Sequence, residues 1–201
     1  SLGVSLFYHL AEEGWNDVIL IEKGELTSGS TWHAAGLCSN FIGNMTVAKI
    51  HNYSIRLYDE ILPSQSGNPS VFHKCGSLRV GYSRIEEEWF RHLLSRSKNV
   101  PCEFNIISRD EARDLHPFMN FENARIIVNT PNDGHVDPSS VVMTMSQIAT
   151  SKGAKISRFN RVEDIKKTQG GEWEVITEKG SIIAEHVVNA AGCFAPEVGA
   201  M

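Results

Sequence analysis

Residues 1–22 read SLGVSLFYHLAEEGWNDVILIE. The first thirteen carry the spacing of an amphipathic helix, with Leu6, Phe7, Leu10 and Ala11 on one face at three- and four-residue intervals. Gly14 stops the helix, as a glycine just past a helix end does, and Asn16-Asp17 reads as a turn. Val18-Ile19-Leu20-Ile21 is a short, wholly apolar β run, the composition of a parallel strand buried on both faces. It ends in a carboxylate, Glu22. Helix, turn, apolar strand and terminal acid form the second half of a βαβ unit. Gly3 stands where the last glycine of a GxGxxG turn would stand, about twenty residues before the acid. The earlier glycines are not in the sequence, so the turn is inferred from the helix, strand and acid that come after it. An acid at the end of the second strand can accept both hydroxyls of a ribose, which makes Glu22 a candidate binding residue.

The far end points the same way. Residues 186–193 read HVVNAAGC, a short apolar strand running into small residues that let a backbone approach a ligand closely. The chain opens on Ser1 and stops at Met201, soon after a new element would begin. The expectation is a piece of a larger protein, cut at both ends.

Composition narrows the class. The 201 residues carry a net charge of −5, with 41% hydrophobic and 21% charged residues. That suffices for one good-sized domain or two small ones with a core, and it is not the composition of a disordered chain. The basic residues are scattered, which argues against a dedicated nucleic-acid binder. No apolar run approaches the roughly 20 residues of a membrane span, and no signal peptide is visible at the N-terminus. Cys38, Cys75, Cys102 and Cys193 show neither CxxC nor metal-type spacing, so reduced thiols and no metal site are expected.

Between the two ends, Leu26 to Gly43 is a loop rich in small residues, with TSGSTWHAAGL at 27–37. Thr46 to Leu62 is helical, Ile50, Tyr53, Ser54, Leu57, Tyr58 and Ile61 sharing a face and Pro63 ending it. Gly76 to Gly81, Phe104 to Ile107 and Ala124 to Val128 read as strands. Ile85 to Ser97 reads as a helix with Trp89, Phe90, Leu93 and Leu94 inward. Ser108 and Glu111 form a capping box. Asp133 to Pro138 turns the chain back, with Asp137 as N-cap and Pro138 as first residue of a helix that repeats Val141, Met145 and Ile148. Ala154 to Arg158 is a strand. Arg161–Lys167, Trp173–Thr177 and Ser181–Ala184 form a three-stranded meander with turns at Gly170-Gly171 and Lys179-Gly180. His51, His116 and His135 stand at no triad or metal spacing and are given no role.

Three strings, ELTSGSTWHAAGL at 25–37, DGHVDP at 133–138 and VVNAAGC at 187–193, resemble the dimethylglycine dehydrogenase and sarcosine dehydrogenase family, within the D-amino-acid-oxidase-like flavoproteins. The similarity runs in order through essentially the whole chain, and GSTWHAAG at 29–36 is its most specific part. KIHNYSIRLYDEI at 49–61 and the HVDP turn favour the dimethylglycine branch. The resemblance implies a mixed α/β fold: a Rossmann-like FAD-binding domain lacking its first strand, with an inserted mixed-sheet substrate subdomain. The expected divisions are 1–69 and 133–201 for the two parts of the FAD-binding domain, and 70–132 for part of the substrate subdomain.

The resemblance also implies the chemistry. The histidine matching His33 bonds to the 8α carbon of the flavin, because oxidised flavin forms a quinone-methide-like electrophile there and a neutral imidazole nitrogen can add to it. Ala34, Ala35 and Gly36 leave room for the ring system, flanked by Trp32 and Leu37. Glu22 takes the ribose of the adenosine half, with Lys23 adjacent. Gly29, Ser30 and Thr31 offer backbone amides. Val162 matches a position that holds adenine through its backbone; Ala191 and Gly192 match a close-approach segment, and Gly3 belongs to the nucleotide turn. The activity implied is hydride transfer from an N-methyl carbon to flavin, demethylating a substrate such as dimethylglycine. An electron-transfer flavoprotein takes the electrons, and tetrahydrofolate acts only through a domain outside this chain. No catalytic acid or base is identifiable, and the piece alone is expected to be inactive. A bacterial cytoplasm and a mitochondrial matrix both fit. A sarcosine dehydrogenase or a methylaminobutyrate-type oxidase would share His33 and Glu22. A non-catalytic relative such as the regulatory subunit of pyruvate dehydrogenase phosphatase keeps the fold. A nicotinamide-dependent dehydrogenase shares only the βαβ start.

Overall fold

A computed structural model describes residues 1–15, 17–97 and 102–201. In chain order it forms α1 (Leu2–Glu12) and β1 (Ile19–Ile21), a 3-10 turn over Ser30–His33, β2 (Leu37–Cys38) and α2 (Met45–Arg56). A wide π turn, Leu57–Ile61, carries α2 into α3 (Leu62–Ser66). Next come β3 (Phe72–His73), β4 (Ser77–Gly81), α4 (Arg84–Ser97), β5 (Asn105–Ile106), α5 (Arg109–Leu115), β6 (Ile126–Thr130) and β7 (Gly134–Val136). The last part comprises α6 (Pro138–Ser151), β8 (Lys155–Ser157), β9 (Val162–Lys167), β10 (Trp173–Thr177), β11 (Gly180–Ala184), a 3-10 turn over Gly192–Phe194 and α7 (Ala195–Gly199). The chain divides into two compact units, Ser1–Ala34 with Pro138–Met201, and Ala35–Asp137. Contacts thus place one boundary at 34/35, where the sequence division placed it at 69/70.

In the first unit, β1 lies parallel to β8, Ile19 opposite Lys155 and Ile21 opposite Ser157. α1 packs on α6, and Phe7, Ala11, Ala149 and Ala154 form the core between them, with Val18, Leu20 and Ile156 against it. α6 reads as helix for the expected reason but buries more than one stripe: Val142, Thr144, Ser146 and Ala149 join Val141, Met145 and Ile148. The meander forms as the turn glycines dictate, in the order β11-β10-β9 and antiparallel throughout.

In the second unit, two antiparallel sheets have the orders β2-β7-β3 and β4-β6-β5. β6 is apolar on both faces. Ile126 and Val128 pack with Phe41, Phe90 and Leu93, whereas Ile127 packs with Ala112, Phe121 and Ala124. Phe41 and Phe90 meet edge to face at 5.3 Å. The capping box at Ser108 and Glu111 forms, fixing the start of α5.

Several local expectations are corrected. The buried stripe of α1 is Val4, Phe7, Tyr8 and Ala11, one step round from the expected face, and Leu6 is exposed. β1 is only partly covered, with Ile19 exposed. The long helix does not stop at Pro63. Proline has no N–H to give and crowds the carbonyl four residues back, and the preceding π turn widens the backbone to accommodate it. The buried residues of this stretch are Ala48, Ile55, Leu57 and Leu62, whereas Ile50 and Tyr53, expected on the inward face, are exposed. Trp89 is half exposed. Residues 186–190 form no strand, and Val187 and Val188 are exposed. The DGHVDP stretch is not only a turn, since it contains β7, the central strand of its sheet. The turn expected at Asn16-Asp17 lies partly outside the described residues.

Candidate cofactor site

The end of β1 is stitched to the loop after β8. Glu22 N–H donates to Ser157 O at 2.9 Å, Asn160 N–H donates to Glu22 O at 3.0 Å, and Phe159 N–H donates to Gly24 O at 3.2 Å. The Glu22 carboxylate folds over its own turn, Oε1 accepting from Gly24 N–H at 2.9 Å. Gly3 lies where α1 meets this strand. A Cβ there would stand 3.3 Å from Ala190 Cβ and 3.4 Å from Leu20 Cδ1. The missing side chain at Gly3 lets the start of α1 sit tightly against β1 and residue 190.

The loop after β1 is held along its length. Glu25 pairs with Arg158 at 2.7 Å, and Ser28 Oγ donates to Glu25 O at 2.7 Å. Thr27 Oγ1 accepts from Ser139 Oγ at 3.3 Å, tying the loop to the start of α6. Thr31 Oγ1 accepts from the Ser1 amine at 2.9 Å, which sets the 3-10 turn beside the start of α1. Within that turn His33 Nδ1 lies 3.2 Å from Gly29 O. A carbonyl only accepts, so this contact is a hydrogen bond when Nδ1 carries the proton, and Nε2 then keeps its lone pair. The Trp32 and His33 rings are 3.9 Å apart at 33°, and both residues are exposed.

The Ala191-Gly192 segment is shaped by Asn189. Its Oδ1 accepts from Ala191 N–H at 3.2 Å and its Nδ2 donates to Ala195 O at 2.8 Å. Gly192 has φ 61°, a conformation open to glycine. Lys23 Nζ sits 3.2 Å above the centre of the Phe194 ring. Gly3, the Glu22-Lys23 strand end and the 190–194 segment are thus gathered at one place. Val162 opens β9 opposite Thr177 and is half-buried. The unit fits a dinucleotide in one testable respect: a Cβ on Gly29 or Gly192 would meet nothing within 4 Å, so both backbones are open to a ligand.

Ala35, Gly36 and Leu37 belong to the second unit. Gly36 has φ 71°, and its carbonyl accepts from Val136 N–H at 2.9 Å. Leu37 pairs with His135 and is 80% exposed. Just beyond lies a buried network that sequence reasoning missed. Asp133, 1% exposed, accepts from Ser77 Oγ at 2.6 Å, Ser39 Oγ at 3.0 Å, Asn40 N–H at 2.8 Å and Asn40 Nδ2 at 3.0 Å. His51 Nδ1 lies 2.9 Å from Ser39 O. Read as a turn residue, Asp133 gave no sign of this, because its partners are 56 to 94 positions away. Burial, and then the Asp133 charge, push the Cys38 thiol up to about 11. Among the described residues no cluster of three or more His, Cys, Asp or Glu side chains is arranged to hold a metal ion. Nor is any helix among them long and apolar enough to cross a membrane.

A parallel strand pair, a helix seated on it through a glycine, and an acid at the strand end define the class: half of a dinucleotide-binding fold. The family model for FAD dependent oxidoreductases matches residues 1–201, and the chain belongs to that family. It is 40% identical over 200 residues to mouse dimethylglycine dehydrogenase, mitochondrial, covering all of this chain and 23% of that protein. It is 30% identical over 198 residues to the mouse pyruvate dehydrogenase phosphatase regulatory subunit, mitochondrial, covering 98% of this chain and 22% of that protein. The chain therefore spans less than a quarter of either relative. The crystal structure of L-proline dehydrogenase from P. horikoshii superposes with a TM-score of 0.89 at 24% identity, over 98% of this chain and 52% of that one, and shares the fold.

Proposed function

We propose that this chain is the FAD-binding part of a dehydrogenase that demethylates an N-methyl glycine, dimethylglycine being the preferred substrate. The observation that carries the reading is His33: an exposed imidazole in a turn of small residues, with Nδ1 3.2 Å from Gly29 O and, when it carries the proton, donating to it. That arrangement fixes the ring and leaves Nε2 as the nitrogen able to bond to a flavin. Glu22 holds the ribose hydroxyls and Lys23 flanks them. The backbones of Gly29, Ser30, Thr31, Ala191 and Gly192 approach the cofactor where no side chain intervenes. Trp32 and Ala34 border the ring system, Val162 presents its backbone to adenine, and Gly3 keeps α1 against the strand.

When bound, FAD supplies the two-electron acceptor for the C–H bond next to the amine nitrogen. The part of these residues is to tether that group, orient it and exclude water from its edge. The expected electron acceptor is an electron-transfer flavoprotein, and the expected compartment is a mitochondrial matrix or bacterial cytoplasm. Tetrahydrofolate acts through a domain outside these residues.

The similarity to a phosphatase regulatory subunit supports a second, non-catalytic reading, and one experiment separates them. The intact protein is precipitated in acid and the pellet inspected for flavin. Colour that stays with the protein, and is lost in His33→Ala, supports the covalent reading; a colourless wild-type pellet overturns it. Dimethylglycine, sarcosine and 4-methylaminobutanoate are then compared as substrates. The highest kcat/KM is expected for dimethylglycine, and a preference for either rival reassigns the substrate.

A further inference from the structure

Phe159 has φ 50°. For a bulky residue this left-handed conformation is an outlier, and such strain persists only where the surroundings over-determine it. Both neighbours are pinned. The Arg158 guanidinium pairs with Glu25 at 2.7 Å, and the Arg158 carbonyl accepts from Lys179 Nζ at 2.7 Å. Asn160 is 3% exposed. It donates from its backbone to Glu22 O at 3.0 Å and from Nδ2 to Ser157 Oγ at 3.0 Å, and accepts at Oδ1 from Lys179 N–H at 3.1 Å. Between these two anchors stands an aromatic ring that is 59% exposed and contributes little to the core. Glycine would take the same backbone without strain. What the side chain adds at this position is the flat ring it presents to the surface.

Its place narrows what that is. Phe159 N–H bonds to Gly24 O, two residues past Glu22, and β9 opens at Val162, three residues on. We infer that the Phe159 ring is a stacking platform for the purine of the dinucleotide, beside the ribose held by Glu22. A flat apolar ring fixed at the surface matches a heterocycle whose faces are apolar and whose edges are polar. The inference rests on the reading of Glu22 and Val162 as the adenosine end of the site.

The test uses the intact protein in a His33→Ala background, so that flavins bind reversibly. Dissociation constants for FAD and for FMN, which lacks the adenylate, are measured by quenching of flavin fluorescence. Phe159→Ala is expected to weaken FAD about tenfold and leave FMN unchanged, and Phe159→Tyr to restore FAD. Phe159→Gly is expected to lose the same affinity with an unchanged or higher melting temperature, because it relieves the backbone. Glu22→Gln separates the two levels of the argument. If Glu22→Gln weakens FAD and Phe159→Ala does not, the stacking inference falls and the ribose reading stands. If neither changes FAD, or FAD binds no tighter than FMN, the adenosine reading falls and the stacking inference with it.

Discussion

At Gly134 a single methyl group has nowhere to go. A Cβ there would lie inside contact distance of the His73 carbonyl oxygen and 2.7 Å from Phe72 Cζ. β3 and β7 approach this closely because the residue between them has no side chain, and the neighbour that would have to yield is backbone. Gly134→Ala is therefore expected to cost at least about 3 kcal/mol, the upper end for overpacking, read as a lower urea midpoint at unchanged slope. Gly29 and Gly192 differ in kind, since their surroundings are open. The same contrast separates the histidines. His51 has Nδ1 against a backbone carbonyl in a partly buried setting, whereas His33 is exposed within a turn of small residues. The string around His33 was legible; the Gly134 requirement was not, because it comes from a strand about sixty residues earlier that short-range pattern could not place.

Between elements, Asp133 is the tie. One carboxylate joins β4 through Ser77, the segment after β2 through Ser39 and Asn40, and the turn that leads into β7. Arg79 reaches the same Ser39 hydroxyl at 3.2 Å. Asp133→Ala strands four donors at once and is expected to destabilise the protein by about 3 kcal/mol or more. Asp133→Asn keeps the shape, and the serine hydroxyls can rotate to accept, so its loss should be less than half as large. Equal losses in chemical unfolding would mean that charge, not connectivity, matters here. Helix α5 and the meander were legible because their determinants, a capping box and two glycine turns, lie within a few residues. The course of the helix past Pro63 was not, since the π turn that accommodates the proline is not a period that apolar spacing reveals.

Across the molecule, two half-buried thiols give a pH dependence. Burial first, and the Asp133 charge second, push Cys38 and Cys102 up to about 11 from 9.0. In the unfolded chain these thiols lose their protons first, so between about pH 9 and 11 the unfolded state holds fewer protons. Their contribution to stability is intact below about pH 9 and falls as pH rises toward 11. Urea midpoints measured across that range should decline, and replacing both cysteines by serine should flatten the decline. Iodoacetamide at about pH 8 should accordingly label the exposed Cys75 and Cys193 before Cys38 and Cys102. Apolar periodicity, turn glycines and caps act over a few residues, so the sequence by itself determined α1, β1, α6, the meander and the acid at the end of β1. The buried faces of α1 and α2, the central place of β7, the Asp133 tie and the strained Phe159 were decided only by tertiary structure. Each depends on atoms brought together from distant parts of the chain, and local spacing carries no record of those neighbours.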